Sequence, residues 1–387
     1  MTATVPSIPI ARPWLGEEEA AAARRVILSG WVTQGPEVAA FEREFAQAVD
    51  AEHACAVASC TAALHLALKA LGVGEGDEVV TVSHSFIATA NAVRYCGAVP
   101  VFVDVDLGTF NIDASAIEPA LSARTRAIVC VHQLGMPCDL ASIVALGRDR
   151  GIPIVEDAAC AIGSEIRWNG AWERVGRPRG AVACFSFHPR KLVSTGDGGM
   201  LTTADPALDT QFRLLRQHGM SVPDTVRHAA RQVIAEEYAV VGYNYRMTDI
   251  QAAVGREQLK RLPQMIARRR QLAARYGELL AGIPNVVVPY EPEWARSNWQ
   301  SYAVRLEAGL EQAAVMQAML DAGVSTRRGV MNAHRERAYA DAPCRIPAPL
   351  VRSEQAQDRA MLLPLYHQMT ETDQDRVVEA LREAVRN

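Results

Sequence analysis

Short apolar segments alternate with helix-like segments between about residues 50 and 205, and this alternation constrains the fold more than any other feature of the sequence. The segments Val99–Val103 and Ala127–His132 are apolar almost throughout, which is typical of strands buried on both faces. Intervening stretches, such as Thr61–Leu71, place apolar residues at helical spacing. The alternation predicts a mostly parallel sheet flanked by helices, which is an α/β fold.

The pattern changes in the last third of the chain, where Arg256–Leu280 predicts a long helix and Ser301–Leu306 predicts a strand. A chain of 387 residues also exceeds what a single hydrophobic core usually supports. We therefore predict a large domain at residues 1–255 and a smaller α+β domain at residues 256–387. Roughly residues 1–20 are a candidate segment for packing on the small domain.

Composition argues against several classes of protein. The chain has 40 Lys and Arg residues against 44 Asp and Glu residues, a weakly negative balance that gives no support for nucleic-acid binding. No apolar run approaches the roughly 18 residues of a membrane span, and the first residues do not resemble a secretory signal. Eight cysteines occur without a CxxC pair, so buried thiols are expected rather than a metal site. We therefore expect a cytoplasmic protein.

The tetrapeptide Ser59–Ala62 joins a predicted strand to a predicted helix and is a candidate phosphate site. A helix N-terminus presents free N–H groups and the positive end of the helix dipole, and both suit an anion. Taken alone, the tetrapeptide is explained as well by a helix cap at Ser59 or Thr61. The sequence contains neither GxxxxGK[ST] nor GxGxxG, so the two common nucleotide-binding loops are not expected.

The acidic pair Glu156 and Asp157 lies at the end of a predicted buried strand. A carboxylate at such a position is costly unless a cation or a hydrogen-bond donor accompanies it. The pair therefore indicates either a bound group with positive charge or, as the simpler alternative, an aspartate that caps a helix.

Lys191 follows the predicted strand Ala181–Ser186 and precedes the glycine-rich segment Thr195–Gly199. A lysine held in a pocket can become nucleophilic and form a Schiff base, whereas a solvated lysine on a loop is the ordinary alternative. A phosphate-binding helix start, an aspartate at a strand end and a pocketed lysine together meet the needs of pyridoxal phosphate. Its phosphate requires backbone donors, its ring nitrogen a carboxylate and its aldehyde an amine.

With these residues in place, the chain closely resembles the DegT-type sugar aminotransferase family of fold-type-I pyridoxal phosphate enzymes. The resemblance covers roughly residues 10 to 260, with a weaker match at Leu363–Tyr366. The motifs that carry it recur in the family's order: Gly30–Pro36, Thr61–Leu68, Phe86–Ala92, Glu156–Ala159, Phe185–Lys191 and Gly242–Gln251.

The resemblance implies a role for each matching position. Lys191 would form the Schiff base with pyridoxal 5'-phosphate and move the proton between the amino acid's Cα and the cofactor's C4′. Asp157 would pair with the pyridine nitrogen, and Phe86 and Ala159 would enclose the ring. The phosphate would be bound by residues from both subunits of a homodimer with shared active sites: Thr61, Ala62, Ser186 and, from the partner subunit, Asn244.

The chain departs from the family's pattern at two places. Cys160 stands where the family usually has a glutamine that contacts the ring hydroxyl, so a weak thiol donor is expected in its place. The segment Thr326–Arg335 replaces a usual His-Tyr-Pro stretch near the sugar site. Its charged residues are candidates for binding the phosphates of a nucleotide-linked substrate, with solvated loop charges as the alternative: Arg327, Arg328, His334 and Arg335.

The resemblance implies an aminotransferase of aminosugar biosynthesis that works by a ping-pong mechanism. The amino group would pass from an amino acid, expected to be L-glutamate, to a keto group of a nucleotide-linked sugar. Two alternatives stay open: a keto-cyclitol as acceptor, and a regulatory protein that binds pyridoxal phosphate without turnover. The dehydratases of the family have histidine at the lysine position, so the presence of Lys191 argues against that activity.

Overall fold

The computed structural model describes residues 7–222 and 224–386. Within them the strands are β1 (His53–Val57), β2 (Glu78–Val82), β3 (Val99–Val103), β4 (Thr125–Val131), β5 (Ile154–Asp157), β6 (Glu165–Trp168), β7 (Ala171–Arg174), β8 (Val182–Ser186), β9 (Gly199–Thr203), β10 (Val286–Val287), β11 (Ala295–Arg296), β12 (Tyr302–Leu306), β13 (Arg327–Arg328) and β14 (Ala360–Leu363). The α-helices are α1 (Glu17–Ser29), α2 (Pro36–Val49), α3 (Cys60–Ala70), α4 (Ala88–Tyr95), α5 (Leu140–Arg150), α6 (Pro206–Leu215), α7 (Asp224–Ala229), α8 (Asp249–Leu280), α9 (Gln312–Asp321), α10 (Val351–Arg359) and α11 (Glu371–Ala384).

The central sheet of the described residues has the strand order β1-β9-β8-β5-β4-β2-β3. Strands β3, β2, β4, β5 and β8 run parallel, whereas β9 is antiparallel to both β8 and β1. The predicted α/β fold with a mostly parallel sheet is confirmed. The parallel strands end at the same edge, which therefore receives the residues that follow β2, β4, β5 and β8.

Helices cover both faces of this sheet because the strands present apolar side chains on each side. On one face, Leu64 of α3, Val93 of α4 and Phe212 of α6 pack over the strands. On the other face, the corresponding helices are α2, α5 and α8, with Phe41 and Ile143 among their buried residues.

The last third of the chain builds a second sheet with the order β10-β12-β14-β13, and its pairs are antiparallel. Tyr276 of α8 and Tyr302 of β12 are fully buried in the core between this sheet and its helices. Ile8 pairs with Val324 and joins the same core, whereas residues 1–6 lie outside the described residues. The domain division at residues 255 and 256 stays a prediction.

Several elements differ from the sequence-based expectation. Helix α8 begins at Asp249 rather than Arg256 because Thr248 and Gln251 form a capping box there. A small antiparallel sheet of β11, β6 and β7 was not predicted. Its strands are two to four residues long, too short to show a clear alternation. Among the described residues, no helix is long and apolar enough to span a membrane.

Candidate active site

A cavity of about 450 Å³ lies where the parallel strands end, and strands of the second sheet complete its wall. It contains most of the residues predicted from the sequence. Those that line it are Thr61, Phe86, Asp157, Ala159, Cys160, Ser186, Lys191, Arg327 and Arg328. Ala62, Asn244, His334 and Arg335 do not line it.

Lys191 reaches this cavity from the loop that follows β8. The backbone N–H of Lys191 donates to the carbonyl of His188, which turns the chain just after the strand. Its Nζ donates to Cys160 Sγ at 3.0 Å. Burial disfavours the charged amine, but Cys160, with smaller contributions from Cys60 and Asp157, outweighs burial and holds the pKa of Lys191 above its usual value. Lys191 is thus a partly buried amine with a sulfur neighbour.

Asp157 ends β5 and is only 5% exposed. Thr89 Oγ1 donates to its Oδ2 at 2.8 Å, and the Ala159 N–H donates to its Oδ1 at 3.1 Å. Burial outweighs these two hydrogen bonds and raises the pKa of Asp157. Among the described residues no cation lies within ion-pair distance of its carboxylate. A protonated ring nitrogen in the cavity would supply the missing partner, so Asp157 fits pyridoxal phosphate.

The start of helix α3 offers an anion site beside these two residues. Ser59 caps the helix, and its Oγ accepts from the Ala62 N–H at 3.1 Å. The helix-cap interpretation of this tetrapeptide is therefore correct for Ser59, and Ala62 N–H is already engaged. Cys60 and Thr61 also line the cavity at the positive end of the helix, where a phosphate is favoured.

The glycine-rich segment after Lys191 is needed for a close backbone contact. A Cβ on Gly199 would lie 2.5 Å from the Ser59 carbonyl and 2.6 Å from the Cys60 nitrogen. Only glycine at the start of β9 therefore allows this strand to pass the start of α3.

A loop of the last third of the chain, residues 297–301, holds the cavity wall and was not recognised in the sequence. Asn298 Nδ2 donates to the carbonyls of Cys160 and Ile162, both at 2.8 Å. Gln300 Nε2 donates to the Arg190 carbonyl. The loop thereby fixes the segments on which Cys160 and Lys191 stand.

A buried pair lies behind the sheet edge. His132 Nε2 lies 3.1 Å from Glu156 Oε2, and the Cys138 N–H donates to His132 Nδ1 at 3.2 Å. Both side chains are fully buried. Glu156 is thus paired with protein groups, in contrast to its neighbour Asp157.

The four charged candidates of the Thr326–Arg335 segment divide into two groups. Arg327 and Arg328 line the cavity, whereas their binding of substrate phosphates stays a prediction. His334 is held instead by Ser83 Oγ at 2.7 Å and by Glu354 Oε1 at 3.2 Å. Arg335 pairs with Asp358 at 2.7 Å. Protein carboxylates thus already pair with His334 and Arg335. These contacts do not support a phosphate-binding role for the two residues.

Asn244 is exposed and lies outside the cavity of its own chain. Thr248 caps helix α8, so Asn244 does not cap that helix. The motif around it is tied to the Gly30–Pro36 motif, because the Asp249 carboxylate accepts from Gly35 N–H at 2.7 Å and caps α2. The Gly30–Pro36 and Gly242–Gln251 motifs thus meet at one contact, between the start of α2 and the start of α8.

Comparison with known proteins places these features in a family. The model of the DegT/DnrJ/EryC1/StrS aminotransferase family matches residues 13–382. The chain is 38% identical to the spore coat polysaccharide biosynthesis protein SpsC of Bacillus subtilis, over 98% of this chain and 97% of that protein.

Two solved structures extend the likeness. The aminotransferase TlmJ from Streptoalloteichus hindustanus is 36% identical, with a TM-score of 0.89 and coverage of 98% of this chain and 99% of the other. DesV of S. venezuelae, solved in complex with a ketimine intermediate, is 34% identical, with a TM-score of 0.88 and coverage of 99% and 100%.

Proposed function

The chain belongs to the DegT/DnrJ/EryC1/StrS aminotransferase family, whose enzymes depend on pyridoxal phosphate, and we propose that its acceptor is a keto group of a nucleotide-linked sugar. We propose L-glutamate as the amino donor, with the two substrates bound in turn by a ping-pong mechanism. The family and the relatives in polysaccharide biosynthesis support an acceptor of this class.

One observation carries the proposal. Lys191 Nζ, the Asp157 carboxyl group and the start of helix α3 face a single cavity of about 450 Å³ at the edge where the parallel strands end. The volume falls in the range of sites for small ligands. The predicted cofactor-binding residues Phe86, Ala159 and Ser186 line the same space.

Asp157 would hold the cofactor's ring nitrogen. Bound pyridoxal phosphate supplies an electron sink for the negative charge that develops at the substrate's Cα, and a protonated ring nitrogen strengthens that sink. Because Asp157 is buried, its interaction with a positive charge is weakly screened by solvent. The Thr89 hydroxyl and the Ala159 N–H fix both carboxylate oxygens in place.

Lys191 would bind the aldehyde carbon of the cofactor through Nζ. Once free, the same Nζ would take a proton from the substrate's Cα and return it on the cofactor side. Its hydrogen bond to Cys160 positions the amine at the cavity wall. Thr61 and Ser186, together with the N-terminus of α3, would hold the phosphate.

The enzyme would work in the cytoplasm as a homodimer. All eight cysteines are free thiols, and six of them are buried, which suits a reducing compartment. Exposed apolar residues near Asn244, including Val241 at 89% and Tyr238 at 59%, support a covered surface there. In that dimer, Asn244 would reach the phosphate of the partner subunit.

The proposal is tested by assaying amine transfer to three classes of acceptor. We expect L-glutamate to convert the bound cofactor to its amine form and a nucleotide-linked keto-sugar to reverse the change. A keto-cyclitol and the free keto-sugar without its nucleotide serve as controls. Reversal by the keto-cyclitol alone would contradict the proposed acceptor.

A further inference from the structure

Two arginines from different parts of the chain line the cavity beside Lys191. Arg190 immediately precedes Lys191, and its carbonyl accepts a hydrogen bond from Gln300. Arg327 lies in β13, which pairs with β14 opposite Leu362. Both residues contribute to the cavity wall.

Neither guanidinium group has a hydrogen-bond or ion-pair partner among residues 7–222 and 224–386. Their neighbours are paired: Arg328 lies 3.3 Å from Glu336, and Arg345 lies 2.8 Å from Glu78. Both arginines are exposed residues, but partial burial of the Arg190 guanidinium and then the charge of Arg327 lower the pKa of Arg190, so the two cations repel one another. Two adjacent positive charges in a cavity wall favour an anion between them.

Gln300 provides an independent sign of a ligand. It lines the same cavity, is 8% exposed, and uses its Nε2 to hold the Arg190 carbonyl. Its Oε1 is buried and has no hydrogen-bond partner within the described residues. A buried acceptor without a partner is costly, so a ligand with an N–H or O–H group would stabilise it.

We propose that Arg190, Arg327 and Gln300 form a subsite for a substrate carboxylate next to Lys191. Arginine binds planar carboxylates through two parallel hydrogen bonds, and Gln300 would accept from a neighbouring amine or hydroxyl group. The inference rests on the proposed function, because it assigns part of that same cavity to a chemical group of the substrate.

The position of the subsite favours a carboxylate over the diphosphate of a nucleotide. Cys160, which contacts the Lys191 amine at 3.0 Å, also interacts electrostatically with Arg190, and all three residues line the cavity. In an α-amino acid the carboxylate is bonded to the carbon that gives up the amine, so it must lie near that amine. A diphosphate is separated from the reacting carbon by the sugar ring. The carboxylate belongs either to the amino donor or to an acidic keto-sugar.

The subsite is tested without turnover by measuring the binding of glutarate to the holoenzyme with calorimetry. We expect glutarate to bind the wild type and neutral glutaramide not to bind. Arg190→Gln and Arg327→Gln should each weaken glutarate binding about tenfold or more, as expected for a lost charge-assisted hydrogen bond. Arg337→Gln, an exposed charge outside the cavity, is the matched control and should bind as the wild type does.

Steady-state kinetics then identify which substrate carries the carboxylate. If the two arginine variants have a raised KM for L-glutamate and an unchanged KM for the keto-sugar, the carboxylate belongs to the donor. A raised KM for an acceptor that carries a carboxylate, and for no neutral acceptor, assigns it to the acceptor. Unchanged glutarate binding in both variants would overturn the subsite. Inhibition of amine transfer by pyrophosphate but not by glutarate would also overturn it. Glutarate binding requires no acceptor. The binding result can therefore be interpreted even if the proposed acceptor class is wrong.

Discussion

The Lys191 amine lies 3.0 Å from the Cys160 sulfur, so the residue by which this chain departs from its family's pattern touches the amine expected to bind the cofactor. A glutamine at position 160 would offer a neutral amide in place of the thiol. The Cys160 sulfur instead accepts a hydrogen bond from the Lys191 amine and contributes to the raised pKa of Lys191. Position 160 therefore contacts the lysine, in addition to the ring-hydroxyl contact that the family resemblance implies.

Replacement of this thiol should change the pH at which Lys191 reacts. Only the uncharged amine attacks an aldehyde, and loss of the sulfur lowers the pKa of Lys191. In Cys160→Ala, the rate at which cofactor-free protein recombines with pyridoxal phosphate should therefore reach its plateau at a lower pH. Cys344→Ala, which alters a thiol outside the cavity, should follow the wild type. Identical pH profiles for Cys160→Ala and the wild type would show that the contact has no effect on Lys191.

Removal of the Asp157 charge should affect catalysis more than cofactor binding. Asp157→Asn is expected to lose about 10²–10³ or more in kcat, the range for loss of a preorganised electrostatic contact, while it keeps a visible cofactor band. Thr89→Val should lose less kcat, because it removes only one hydrogen bond to the carboxylate. Thr89→Ser keeps a hydroxyl group and should retain the kcat that Thr89→Val loses. Near-normal turnover in Asp157→Asn would refute the ring-nitrogen role.

The sequence was sufficient for the parts of the site that follow directly from a strand end. Asp157 and Lys191 come after buried apolar strands, and such strands order the ends where ligands bind. Residues that act across the chain had no local signal: Asn298 reaches Cys160 from 138 residues away. Thr89, which supports Asp157 across 68 residues, was missed for the same reason.

The charged segment shows a second limit of sequence analysis. Arg327 and Arg335 look equivalent in the sequence, but only folding reveals that Glu354 and Asp358 stand beside Arg335. Arg190 was overlooked because the adjacent Lys191 explained the motif. Whether a charged side chain is free to bind a ligand depends on its partners in the fold, and the sequence pattern does not show these partners.

Mixed dimers test whether Asn244 completes the partner's site. Lys191→Ala and Asn244→Trp should each be inactive as pure dimers. If Asn244 crosses between subunits, a hybrid carries both lesions in one site and leaves the other intact. Equal co-refolding should then recover about a quarter of wild-type activity, because half of the dimers are hybrids with one working site. An inactive mixture, with hybrids demonstrated by tagged pull-down, would show that each site belongs to one chain.

Stability should fall as the pH falls below the ordinary histidine pKa. Burial lowers the pKa of His65, His84 and His367 from 6.5 to about 4. Between these values the unfolded chain binds protons that the folded chain does not, so acid favours unfolding. Each of these three histidines contributes at most about 1.4 kcal/mol per pH unit. Urea unfolding between pH 7 and 5 should show a smaller loss in His84→Gln than in the wild type or in partly exposed His53→Gln. An equal loss in all three proteins would contradict this origin.

The proposed active site depends most directly on the amine that holds the cofactor, and the chain has few lysines that could do so. Its lysines are Lys69, Lys191 and Lys260. Borohydride reduction of the holoenzyme, followed by peptide mapping with mass spectrometry, locates the cofactor on one of them. We predict a single adduct on Lys191 and none in Lys191→Ala. An adduct on Lys69 at the end of α3, or on Lys260, which pairs with Glu257 on the exposed side of α8, would contradict the proposed site.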